Sequence, residues 1–253
     1  MKKIRSIIEL SMQLAKSNFK LRNEGSFLGI FWYLLEPLIF FVILLFLGGV
    51  INKNPIPSYP LYLLLGILMF NFFVTVTTQA TSTLDKNHGF IKSLRINSES
   101  FVIATIIQFT FSHIIEMILF TIIMFFIGSH VYFILLYPIL FFFFCLFTIG
   151  LSFTLATISV YFVDLQNIWS VFTRLLWFVT PIFYSFQDPS SIIFKLNYIN
   201  PLTHFMTVTR DVIIYHRVPT LLATLGICIF SIIVFFIGLY IFEKNKKSFA
   251  EIL

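Results

Sequence analysis

Six apolar runs, at residues 28–51, 61–83, 101–128, 132–162, 168–186 and 221–242, limit what this chain can fold into. A helix needs about 20 residues to cross the roughly 30 Å of bilayer hydrocarbon, so each run predicts one crossing. The runs at 101–128 and 132–162 exceed that need, which predicts tilt or extension beyond the membrane face. The charge left over is too sparse for a soluble surface: 11% of the 253 residues are charged, against about 25% in soluble domains. A transmembrane barrel would show alternating strands of about ten residues instead of long apolar runs. The apolar runs, in a chain with 35 phenylalanines, therefore predict an all-α integral membrane fold, a single transmembrane domain over residues 1–253.

The placement of the basic residues predicts the topology. Six crossings put both termini on one side. That side collects twelve lysines and arginines, from the first 22 residues, from Lys86, Lys92 and Arg95, and from Lys244, Lys246 and Lys247. The opposite side holds four, Lys53, Lys195, Arg210 and Arg217, with Arg174 inside a run. The excess predicts cytoplasmic termini in a multi-pass cytoplasmic (inner) membrane protein. The same placement assigns the net charge of +6 to topology and anionic headgroups, and away from nucleic acid. The first 27 residues are too polar for a secretory signal, which predicts no cleaved leader.

Three segments between the runs are more than connectors. In residues 1–27, Ile4, Ile8, Met12, Ala15 and Phe19 recur at helical spacing among six cations, a pattern of an amphipathic interface helix, with a plain basic flank as the alternative. In residues 84–100, Phe90, Ile91 and Leu94 sit among Lys86, His88, Lys92 and Arg95. That suits a short amphipathic helix able to dock on a partner, and equally a solvated connector. Residues 187–219 mix apolar pieces with Pro189, Pro201 and Pro219, which predicts external re-entrant or interface-lying helices around a protein-lined mouth.

Enzymatic motifs are missing. None of the ten glycines precedes a lysine, so a GxxxxGK[ST] phosphate loop is excluded, as are HExxH, CxxC and GxSxG. Cys145 and Cys228 lie in apolar runs with no metal-ligand companion. The expectation is a non-enzyme that binds no cofactor or metal and draws energy from a partner or an ion gradient.

Four ionisable residues lie within the runs: Glu36, His113, Glu116 and Arg174. At about 1.5 Å per residue, Glu36 lies roughly 12 Å, Arg174 roughly 9 Å and Glu116 roughly 22 Å from the cytoplasmic side. Depth favours Glu36 over Glu116 as a partner for Arg174, while snorkelling would satisfy the arginine unaided. His113 and Glu116, at i and i+3, face the same way and suit either a local pair or a proton relay. Trp32, Tyr33 and Trp169 fit an interfacial belt or an aromatic pore lining.

The order of these parts resembles the membrane subunit of type-2 ABC exporters for polysaccharides, the O-antigen, capsule and teichoic-acid permeases. The matching pieces are NFKLRNEGSFLGIFWYLLEPLIFFVI at 18–43, YFVDLQNIWSVFTRLLWFVTPIFYS at 161–185 and NYINPL at 197–202. Leu28, Gly29, Trp32 and Pro37 match a first-span pattern. Phe162, Asp164 and Leu165 match an acidic turn, followed by Pro181, Ile182 and Tyr184, then Asn200 and Pro201. Val163 stands where relatives commonly have arginine.

The resemblance implies a homodimer bound to two copies of a separate ABC ATPase subunit, which carries the ATP. It implies lipid-linked polysaccharide as cargo, lifted as a polyprenyl-pyrophosphate conjugate. Coupling to the ATPase would fall on Lys86, His88, Phe90, Lys92 and Arg95. The channel path would include Trp32, Tyr33, Glu36, Arg174, Trp177 and Tyr184, and the external gate Pro181, Asn200 and Pro201. The alternatives are a type-2 permease for a drug or another lipid, and an ion-coupled transporter built on His113 and Glu116.

Overall fold

The computed structural model of the chain describes residues 2–24, 27–51, 56–94, 97–185 and 192–252. Lys53, Arg95 and Pro189 lie outside these residues. Among the described residues ten α-helices follow in order: α1 Lys2–Asn23, α2 Trp32–Ile51, α3 Tyr59–Lys86, α4 His88–Leu94, α5 Glu99–Phe126, α6 Tyr137–Tyr161, α7 Leu165–Val179, α8 Ile192–Ile199, α9 Pro201–Ile213 and α10 Leu221–Ile252. Short 3-10 turns, Gly29–Phe31 and Val131–Leu136, lead into α2 and α6. Among the described residues there is no strand.

Helix α3 is the axis of the bundle. Its sequence is apolar on every face from Leu61 to Phe73, and such a helix must be buried all round. It is: Leu61, Leu63, Leu64, Leu65, Ile67 and Leu68 have no exposed surface. Helices α2, α5, α6, α7 and α9 all pack on it. The outer helices are inside-out by soluble standards. On α5, Ile114, Ile118 and Ile122 form an exposed ladder at i, i+4 spacing, and α10 exposes Ile229, Ile233, Phe236 and Tyr240. In a bilayer these stripes meet acyl chains, which removes them from water as a protein core would.

Helices α6 and α10 make the most extensive packing in the structure, and two glycines permit it. A Cβ on Gly150 would stand 2.5 Å from the Val234 carbonyl oxygen and 2.6 Å from the Phe235 Cα, and one on Gly238 would overlap the Gly150 carbonyl. Lipid tails are as apolar as leucine, so helix association in membranes leans on such close backbone approach.

The structure differs from the sequence expectation in the spans. Among the described residues, four helices are long and apolar enough to cross a membrane: α3, α5, α6 with its lead-in, and α10. Helix α2 contributes a shorter apolar stretch, Trp32–Gly48. The run at 168–186 is not one helix. Helix α7 starts at Leu165 and stops at Val179, and its 15 residues span only about 22 Å. Residues 84–100 carry a short helix, the first of the two alternatives the sequence left open there. Helix α3 continues to Lys86, α4 follows after Asn87, and α5 begins at Glu99. Helix α4 is held by Ile91, buried in a cluster with Leu84, Phe101, Val102, Phe153, Phe242 and Phe249. Lys86, His88, Phe90 and Lys92 stay exposed around it. Finally, α10 runs past 242 to Ile252, where Lys246 Nζ donates to Glu99 Oε1 at 2.8 Å and also contacts Glu243.

At the other end, Phe133 stacks on His216 (4.3 Å between centroids, 19° between planes), with the His130 ring 5.3 Å from that of His216. Burial holds the His216 imidazole below its ordinary range, and the neighbouring His130 lowers it further. The folded chain therefore binds fewer protons than the unfolded one in that window, and stability falls as pH drops through it.

Two outcomes follow for the chain purified in detergent. Gly150→Leu should sharply lower the midpoint of thermal unfolding, because overpacking against backbone costs about 1–3 kcal/mol or more. Gly226→Leu, where an added side chain meets nothing within 4 Å, should leave it nearly unchanged. Acidifying below the ordinary imidazole range should lower the midpoint more in the wild type than in His216→Gln.

Candidate functional site

Helix α7 ends because of two adjacent residues. Pro181 has no N–H to continue the ladder, and it pushes the residue before it out of the helical region. Thr180 accordingly takes φ −78°, ψ 134°. The chain then runs non-helically through residues 180–185 beside α3 and α9. Broken backbone at this point in a membrane bundle needs a partner for each freed carbonyl, and protein must supply it.

The carbonyls are satisfied one by one. The Tyr184 hydroxyl turns back to reach the Phe178 and Val179 carbonyls at 2.6 and 2.9 Å. Ile182 N–H donates to Thr180 O at 2.8 Å. Arg210 Nη1 donates to Pro181 O at 2.8 Å and Nη2 to Ile182 O at 3.2 Å. Tyr59 Oη donates to Phe183 O at 3.1 Å, and Tyr62 Oη reaches Tyr184 O at 2.9 Å and Pro181 O at 3.1 Å.

Arg210 is the centre of this network. It lies on α9, 2% exposed, with its guanidinium 3.4 Å from the centroid of the Tyr62 ring. Nε and Nη2 also donate to Tyr62 O, at 3.2 and 3.0 Å. Gly66, one turn along α3, leaves the room: any side chain there would run into Nη2. The planar five-donor fork of arginine suits several carbonyls at once, where a lysine ammonium would reach fewer.

Asn200 closes the assembly from the α9 side. Its Oδ1 accepts from Leu202 N–H at 3.0 Å as the helix cap, with Pro201 in the first turn. Its Nδ2 donates to Thr180 Oγ1 at 2.9 Å, and Thr180 in turn donates to Leu176 O at 2.7 Å. Pro181, Asn200 and Pro201 are thus brought together around one helix break.

One sequence expectation changes here: Arg210, counted among the cations of the external face, is fully packed. Arg174, inside an apolar run, is exposed on α7. The sign was present in the sequence of α9: Leu202, Phe205, Met206, Thr209, Arg210 and Ile213 recur at helical spacing and form its buried face. An arginine inside such a stripe needs partners. Tyr62 and Gly66 carried no comparable signal, since each sits in an apolar run, and Tyr59 lies just before that run.

The remaining candidates fall into separate places. Glu36, Arg174 and Trp177 line one cleft of about 560 Å³ between α2, α3 and α7, with Phe40, Phe70 and Phe178. Trp177 packs edge-on against Phe70 at 5.0 Å. Glu36 and Arg174 share this cleft, both exposed, without forming an ion pair. Tyr33 turns away from the cleft into the bundle, and Trp32 stands exposed. His113 Nδ1 lies 3.1 Å from Glu116 Oε2 and Nε2 lies 2.6 Å from Tyr137 Oη, so the local pair extends to a third residue. The candidate docking residues Lys86, His88, Phe90 and Lys92 sit at the far end of α3, remote in sequence from the Tyr62 end.

Arg210→Met should strip donors from the Pro181 and Ile182 carbonyls, at about 1–3 kcal/mol for each buried acceptor left unpaired. Arg210→Lys should recover only part of that loss. Tyr62→Phe should be milder. Thermal unfolding, with limited proteolysis probing residues 180–185, would separate the three.

The family model described as ABC-2 type transporter matches residues 9–214 of this chain. Among curated relatives, the chain is 26% identical over 246 residues to the O-antigen export system permease protein of Myxococcus xanthus, covering 96% of this chain and 94% of that one. It is 25% identical over 255 residues to the O-antigen export system permease protein of Klebsiella pneumoniae, covering 98% and 96%. It is 20% identical over 225 residues to the polysialic acid transport protein of Escherichia coli, covering 87% of each. With most of its length matched and an all-helical, membrane-spanning architecture, the chain belongs to the ABC-2 type transporter membrane family.

Proposed function

We propose that this chain is the permease subunit of an ABC exporter that moves a polyprenyl-pyrophosphate-linked polysaccharide from the cytoplasmic to the external side of the inner membrane. The observation that carries the proposal is the near end-to-end match to permeases named for glycan export, with two different glycans among them. Two six-span copies, with cytoplasmic termini, form the functional unit. Helix α7 supports this, because Ile168, Val171, Phe172, Leu175 and Phe178 are all exposed and α7 has only one fully buried side chain, Thr173. A second copy facing α2 and α7 would cover that surface and turn the Glu36–Arg174–Trp177 cleft into a channel wall. Aromatic faces there accept the apolar C–H surfaces of successive sugars without fixing one register.

The ATPase binds ATP; this chain binds none. Two ATPase subunits dock beneath α4, where Phe90 projects between Lys86, His88 and Lys92. Their motion reaches the helix break through α3, which carries the docking residues at one end and Tyr59 and Tyr62 at the other. The break around Pro181, Asn200 and Pro201 acts as the external gate, and its carbonyl network is what opening has to rearrange.

Deleting the chain in its native host should abolish surface polysaccharide, with the lipid-linked glycan accumulating on the cytoplasmic side. An ATPase subunit lacking hydrolysis should give the same result. Unchanged surface glycan after deletion would favour cargo of another kind, a drug or a different lipid. Full function without ATP hydrolysis would sink the ABC reading and return attention to His113 and Glu116. Phe90→Asp should cut co-purification of the ATPase several-fold while leaving the thermal midpoint of the isolated chain unchanged.

A further inference from the structure

A second cavity, about 180 Å³, lies between α1, α2, α3 and α5, beside the Trp177 cleft. Its polar side chains are short of partners. The Tyr33 hydroxyl and the Ser112 hydroxyl are buried with no hydrogen bond, in residues only 6% and 4% exposed. Buried polar atoms are paired in roughly nine cases of ten, so two orphans on one cavity point to an absent polar guest. Glu36 and Asn71 add a carboxylate and an amide to the same wall, and neither makes a side-chain hydrogen bond to the described residues.

The lining selects the chemistry of that guest. An apolar molecule would leave the hydroxyls unpaired. An anion would face two carboxylates, Glu36 and Glu116, against Arg22 and the His113 imidazole, which Glu116 and Tyr137 already hold. An organic cation would compete with Arg22, whose guanidinium already sits 4.7 Å from the Tyr33 ring centroid and 5.0 Å from that of Phe109. A neutral ring bearing several hydroxyls meets every requirement. It donates to the carboxylates, exchanges hydrogen bonds with Asn71, Tyr33 and Ser112, and lays C–H surface on Pro37 and Val74. The volume is large for a single water and below the roughly 300–1,000 Å³ of drug-sized sites, which suits one sugar ring.

We propose that this cavity is a subsite for a single sugar unit, set behind α2 and communicating with the α2–α7 cleft. Glu36, Asn71 and Val74 line both spaces and form the shared wall. The proposal rests on the glycan-export reading and names a place where the chain itself recognises the glycan.

The test is saturation-transfer NMR on the purified full chain in detergent micelles, with methyl α-glucoside, α-galactoside and α-mannoside as probes. At least one should receive saturation from the wild type and lose it in Tyr33→Phe and Ser112→Ala. Each of these variants deletes one orphan hydroxyl with little change of shape, so each should keep or raise the thermal midpoint. Asn71→Leu should abolish transfer outright, and Thr207→Val, in the separate external cavity of about 740 Å³, should leave it unchanged. No transfer to any glycoside in the wild type would mean a cavity filled by water alone and overturn the proposal. Transfer that survives Tyr33→Phe, Ser112→Ala and Asn71→Leu alike would overturn it by placing the sugar elsewhere. Failure of the export reading shows separately, as surface glycan that persists in the deletion strain.

Discussion

The guanidinium of Arg210 lets a broken helix exist within a membrane bundle. Residues 180–185 expose a run of carbonyls that neither lipid nor a neighbouring helix backbone could satisfy. One side chain on α9 takes Pro181 and Ile182, and also grips the Tyr62 carbonyl on α3. Three elements distant in sequence are thereby tied at a single point. The buried charge is tolerable because its donors are occupied and its flat face rests on an aromatic ring. Replacing the network with apolar packing would leave the carbonyls bare, so the arginine and the break are one feature.

That tie also defines how force can travel. Helix α3 is buried along its length and cannot shift without disturbing its neighbours. One of its ends meets the carbonyl network and the other carries the exposed residues beside α4. The α6–α10 pair, locked by backbone contact at Gly150 and Gly238, supplies a rigid flank. Helix α7 is the opposite case. It is short, largely uncovered in the single chain and tethered through its C-terminal break, which suits an element that moves against a partner.

Much of the fold was legible from residue patterns. Hydrophobic run length located the four long apolar helices α3, α5, α6 and α10, and the i, i+3, i+4 spacing in residues 1–27 located α1. Run length by itself overran the end of α7, although Pro181 constrains its own residue and the one before it whatever surrounds them. The site was less legible. Arg174 drew attention as a charge in an apolar run, while Arg210 was taken for an external cation. Local pattern gives the period of a charge but not its depth, and depth depends on how α9 folds back onto α3.

The sequence alone therefore determined that the chain is helical, lives in lipid and carries a proline near the end of its fifth apolar run. Those properties follow from run length, charge scarcity and proline geometry, each of which acts over a few residues. Only the tertiary structure decided which arginine is buried, that Glu36 and Arg174 share a cleft without pairing, and that Tyr33 and Ser112 meet across a polar cavity. These are contacts between side chains up to about 150 positions apart, such as Arg210 with Tyr62. No periodicity encodes them, because they depend on which helix faces meet once the bundle has closed.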